Sequence, residues 1–81
     1  ELRHLAAQMA HRIEAALLRI PYEFRMVVAL ADIEGLSYKE VAETMDIPVG
    51  TVMSRLHRAR RLLREQLGEY ARSYGLTAAA A

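Results

Sequence analysis

The stretch Ser37-Tyr38-Lys39-Glu40-Val41-Ala42-Glu43-Thr44-Met45-Asp46-Ile47-Pro48-Val49-Gly50-Thr51-Val52-Met53-Ser54-Arg55-Leu56-His57-Arg58-Ala59-Arg60-Arg61 decides the fold. Ser37 and Glu40 have the S-x-x-E spacing of a capping box. In that arrangement the serine hydroxyl and the glutamate carboxylate each accept a backbone N–H that the first helical turn leaves unpaired. The spacing predicts a short helix over residues 38–45, with Val41, Ala42 and Met45 facing inward. The helix stops at Asp46-Ile47-Pro48, because proline disfavours helical geometry at the residue before it. A longer helix then starts near Pro48 and runs to about Tyr70 on the stripe Val52, Leu56, Ala59, Leu63, Leu67 and Tyr70. Two helices joined by so tight a turn match a helix-turn-helix. Its framework residues are Ser37, Glu40, Val41, Ala42, Ile47, Val52 and Leu56.

Upstream, Leu2, Leu5, Met9, Ile13, Ala16, Leu17 and Ile20 recur at three- and four-residue steps, the stripe of an amphipathic helix over residues 2–19. Pro21 fits the first position of a further helix, with Glu23 near its positive end. Phe24, Val27, Val28 and Ala31 form its inner stripe. Gly35 suits the left-handed residue that ends it, and Leu36 folds back as the accompanying apolar contact. The helical signal weakens after Gly68, and Gly75 with Ala78 to Ala81 reads as a frayed end. No strand alternation, internal repeat or Gly/Ser linker appears. The expected fold class is all-α: a four-helix domain containing a helix-turn-helix with a long C-terminal recognition helix. The domain is expected over residues 1–74, with a flexible tail over 75–81.

The chain has 81 residues, enough for one domain of the usual size. It has no cysteine, which excludes disulfides, thiolate zinc ligands and thiol catalysis. Its longest apolar run is six residues, Met26 to Ala31, far short of a membrane span. It opens on Glu1, not Met, and is read as a piece of a longer protein. His4 and His11 share a helix face, but no third ligand is placed near them, so no metal is expected. No zinc-protease motif, phosphate-cradling glycine loop or nucleophile elbow occurs. An enzyme, a cofactor and a small-molecule substrate are therefore not expected.

Net charge is only +1, but its distribution is uneven. Residues 22–46 carry six acids against Arg25 and Lys39; residues 47–64 carry five arginines and no acid. At about 100° per residue, Ser54, Arg58 and Arg61 lie opposite the apolar stripe of the last helix. Thr51 and Arg55 flank them on one side and His57 on the other. A face of Thr, Ser and Arg near a helix N-terminus is what a DNA major groove accepts: Arg reaches guanine O6 and N7, and hydroxyls reach phosphate or base edges. The bland alternative is a solvated helix face, with Arg60 and Arg64 pairing with acids of the third helix or with Glu69.

Gly50-Thr51-Val52-Met53-Ser54-Arg55-Leu56-His57-Arg58-Ala59-Arg60, preceded by Glu34-Gly35-Leu36-Ser37-Tyr38-Lys39-Glu40-Val41-Ala42, resembles the second half of region 4 of bacterial sigma factors of the extracytoplasmic-function group. Ile20-Pro21-Tyr22-Glu23-Phe24-Arg25 resembles the Leu-Pro segment that opens that domain. The resemblance covers about residues 13–67. It implies reading of the −35 promoter element and recruitment of RNA polymerase in the cytoplasm. It places the counterparts of Ser54, Arg55 and Arg58 at or near DNA, Arg58 as the base reader, and that of Thr51 at the phosphates. Many members carry Arg or Lys where this chain has Met53. Met53 with His57 is nearer to the subgroup that responds to thiol-oxidative stress. The family also implies two protein partners on apolar surface, the flap of the polymerase β subunit and an anti-sigma factor. The residues left over for such contacts here are Leu18, Met26, Leu30 and Leu62. Two other readings are a response-regulator output domain and a helical protein-interaction module whose Arg face docks an acidic protein.

Overall fold

The computed structural model describes residues 1–73, with side chains described over 1–69. Four helices follow one another without a strand among the described residues: α1 (Leu2–Leu18), α2 (Tyr22–Val28), α3 (Tyr38–Met45) and α4 (Val49–Ser73). The expected tail and the side chain of Tyr70 lie outside the described residues.

The core sits where α4 crosses α1, α2 and α3. Val27, Val41, Val52, Leu56 and Ala59 are fully enclosed, with Ala16, Leu17, Ile20, Val28 and Ala42 almost so. Phe24, Ala31, Leu36, Met45, Ile47 and Leu63 pack against that cluster. The inner stripes of α2 and α3, and that of α4 from Val52 to Leu63, are thus those that periodicity predicts; Leu67 is half-buried and outside the core cluster. The stripe of α1 is not. Leu2, Leu5, Met9 and Ile13 are exposed, Leu2 at 83%, and only Ala16 and Leu17 of that helix are buried. The described body of the domain closes over only the last turns of α1. Periodicity identifies the apolar side of a helix but not how far its partners extend along it.

The joint between α1 and α2 is held by Arg25. Its guanidinium donates from Nε to the Leu17 carbonyl and from Nη2 to the Ile20 carbonyl, both at 3.2 Å. These are carbonyls that the end of α1 leaves unpaired. Pro21 lies one position ahead of its expected place: its extended ψ of 149° makes it the N-cap, and Tyr22 begins the helix.

The end of α2 departs from simple helical geometry. It continues into one π-helical turn, Ala29–Ile33. Gly35 follows at φ +76°, the left-handed conformation glycine adopts without strain. The Leu36 amide then reaches back to the Leu30 carbonyl at 3.0 Å. The insertion widens the closure by one residue relative to the usual helix-ending motif.

Ser37 and Glu40 form the capping box in full. The Ser37 amide donates to Glu40 Oε1 at 2.8 Å, and the Glu40 amide donates to Ser37 Oγ at 3.1 Å. At the far end α3 stops after Met45, as expected, with Asp46 as its C-cap. Asp46 is left-handed at φ 57°, and the Ile47 amide closes onto the Ala42 carbonyl at 3.0 Å. This turn aims α4 across α3.

Candidate nucleic-acid interface

The interface is built on α4. Its first turn is anchored by the Pro48 carbonyl, which accepts from the amides of Thr51 at 3.0 Å and Val52 at 3.2 Å. The turn carries no acidic residue. The amides of Val49 and Gly50 precede any intrahelical acceptor, so the positive end of the helix points to the surface. Val52, Leu56 and Ala59 hold the helix down on its inner side.

That anchoring turns the predicted face outward. Ser54, His57, Arg58 and Arg61 are exposed; Thr51 and Arg55 are half-buried on one flank. The exposed Ser54 hydroxyl donates back to the Thr51 carbonyl at 3.2 Å and keeps its capacity to accept. Arg64, one turn beyond Arg60, is exposed as well. The ridge therefore joins guanidinium donors to hydroxyl groups at the positive end of a rigid helix. Such a ridge can take phosphate oxygens through charge-assisted hydrogen bonds and guanine through a bidentate fork.

Arg60 stands apart from the ridge. Its Nε and Nη2 donate to the two carboxylate oxygens of Asp32, at 3.0 and 2.7 Å. Donation to Asp32, and secondarily to the Tyr38 phenol oxygen, holds the guanidinium even further above neutrality than usual. The partner of Arg60 is thus on the π-helical turn after α2, not on α3 or at Glu69. The pair clamps α4 against α2 and withdraws one of the five arginines from ligand contact. Twenty-eight residues separate the two side chains, and no local spacing signals their meeting.

The apolar residues left over from the stripes divide. Leu30 and Leu62 are half-buried and pack against the core, so little of either is presented to a partner. Met26 is half-buried, and Leu18 is 70% exposed. Leu18 borders an open, apolar groove between α1 and α2, lined also by Leu17, Ala15, Ala29 and Arg25. His4 makes a 3.2 Å contact with Gln8 one turn on, and no group of three His, Asp or Glu among the described residues is placed to hold a metal. No described helix is long and apolar enough to cross a membrane.

Comparison with known proteins gives the fold a family. Residues 10–63 match the family model described as Sigma-70, region 4. The chain is 50% identical over 58 residues to the ECF RNA polymerase sigma factor SigE of Mycolicibacterium smegmatis, covering 72% of this chain and 23% of that protein. It is 40% identical over 63 residues to the ECF RNA polymerase sigma factor SigW of Bacillus subtilis, covering 78% and 34%. It is 39% identical over 59 residues to the ECF RNA polymerase sigma-E factor of Escherichia coli, covering 73% and 31%. The chain thus spans between about a quarter and a third of the curated relatives it matches. These names do not bear on the thiol-oxidative-stress subgroup. The family match decides against the response-regulator reading. The matched residues take in all of α2 and α3, the outward ridge of α4 and the clamp that sets it, and the chain belongs to the sigma-70 region 4 family.

Proposed function

We propose that this chain is a promoter-reading module: α4 enters the major groove of a −35 element, and other faces of the domain hold RNA polymerase and an anti-sigma factor. The observation that supports this most directly is the outward ridge of Thr51, Ser54, Arg55, Arg58 and Arg61 at an acid-free helix N-terminus, with His57 at its side. Arg58, exposed at the centre of the ridge, reads a base; Thr51 and the first-turn amides meet phosphate. The module does no bond chemistry. It converts a base sequence into the placement of a polymerase, and its place of work is the cytoplasm.

Leu18 and the groove between α1 and α2, with Met26 nearby in α2, are the apolar surface for the β flap of polymerase or for the anti-sigma factor, which would seat a helix there. No small molecule or cofactor is required. The domain is expected to extend over residues 1–74.

The test is selection of the chain against a library of randomised duplexes. Enrichment of one short motif is the expected result. A pool that stays random after several rounds, with the protein folded throughout, would overturn the promoter-reading function and favour the protein-interaction module.

A further inference from the structure

Met53 is the most exposed large apolar side chain on the described part of α4. It is 54% exposed, with exposed Gly50 and His57 one turn to either side and Val49, 41% exposed, beside Gly50. It takes no part in the core cluster. It stands at the edge of the ridge, one turn ahead of His57, on the rim of an open hollow of about 370 Å³ that Tyr38, Leu56, His57, Arg60 and Arg64 complete. A thioether at that position offers neither charge nor a strong hydrogen bond. What it offers is a flexible apolar contact at the start of the helix, where recognition helices reach base edges. The apolar group that a major groove displays is the 5-methyl of thymine.

We propose that Met53 is a specificity-determining residue that reads the 5-methyl group of one thymine at the edge of the bound site. The inference rests on the duplex-reading function proposed above and adds to it the identity of one base and the group by which it is recognised. Arg58 fixes its own base by hydrogen bonding, whereas Met53 discriminates through a contact that water would otherwise occupy.

The experiment uses the duplex selected from the randomised library. Each thymine is replaced singly by deoxyuridine, which removes the methyl and leaves base pairing intact. At one position the parent chain should bind the uracil duplex about fourfold more weakly, the effect of burying one methyl group. Met53→Ala should bind the two duplexes equally, and Met53→Leu should keep part of the preference. Because the side chain lies on the surface, both variants should melt with the parent. Selective binding with no methyl-sensitive position, or a methyl effect that survives in Met53→Ala, would overturn the assignment while leaving the promoter-reading function standing. Absence of any selective binding would overturn both.

Discussion

Gly50 lies in the first turn of α4 at an ordinary negative φ, and a Cβ added there would meet nothing within 4 Å. Within the chain the glycine therefore only weakens the helix. Gly50→Ala is expected to raise stability by about 0.5–1 kcal/mol, read as a higher melting temperature. The same methyl would stand between the helix end and a phosphate, so duplex binding should weaken as stability rises. Unchanged binding would place the phosphate elsewhere. Arg58 gives the complementary case. Removing its side chain leaves the core untouched, and Arg58→Ala should cost about 1–3 kcal/mol of discrimination at one base pair. Titrations on the selected and a scrambled duplex separate the outcomes: a loss confined to the selected site marks a base reader, and equal losses reduce Arg58 to a phosphate contact.

The capping box of α3 carries a pH dependence with a definite sign. The Ser37 backbone amide, then its hydroxyl, hydrogen-bond to the ionised Glu40 carboxylate and hold its pKa below the ordinary value. A group lowered in the folded state stabilises above its unfolded pKa, about 4.3 for glutamate, and loses that contribution as pH falls through the folded value. Glu40→Ala should therefore melt below the parent at about pH 7, and the gap should close in strong acid; a gap of equal size at both ends of the range would contradict this. Ser37→Ala, which also removes the cap hydroxyl, should cost about 0.5–2 kcal/mol. The elements differ in how legible they were. The bounds of α3 and the left-handed Gly35 follow from local chemistry that acts within four residues. The left-handed conformation at Asp46 was not legible, because aspartate tolerates that conformation without requiring it. The π-helical turn after α2 and the Asp32–Arg60 clamp depend on how α4 lies across α2, and nothing in either local segment encodes that. The outward face of α4 was legible because one period, read from Val52 to Leu63, fixes both the buried side of α4 and its opposite.

At the scale of the whole molecule, the core and the proposed recognition surface occupy opposite faces of α4, and only the last turns of α1 join the core. Leu56 is 1% exposed at the centre of the core, so Leu56→Ala should cost about 2–5 kcal/mol and leave a markedly less stable domain. Leu5, 46% exposed on the overhanging part of α1, should tolerate Leu5→Ser within about 0.5 kcal/mol in chemical denaturation. A comparable loss at both positions would mean that α1 is packed along its full length. Charge is divided as well. Residues 22–46 carry six of the ten acids, and residues 47–64 carry five of the ten arginines and no acid, so a near-neutral chain presents one basic ridge. Attraction of that ridge to phosphate weakens as salt rises, while the contacts that distinguish one base from another remain. The most direct measurement is the affinity of the chain for the selected duplex and for its scrambled counterpart across a salt series. Binding to both should fall steeply as salt rises, with the selected duplex tighter throughout. Coincident curves at every salt concentration would show that α4 recognises charge and not sequence, and would contradict promoter reading.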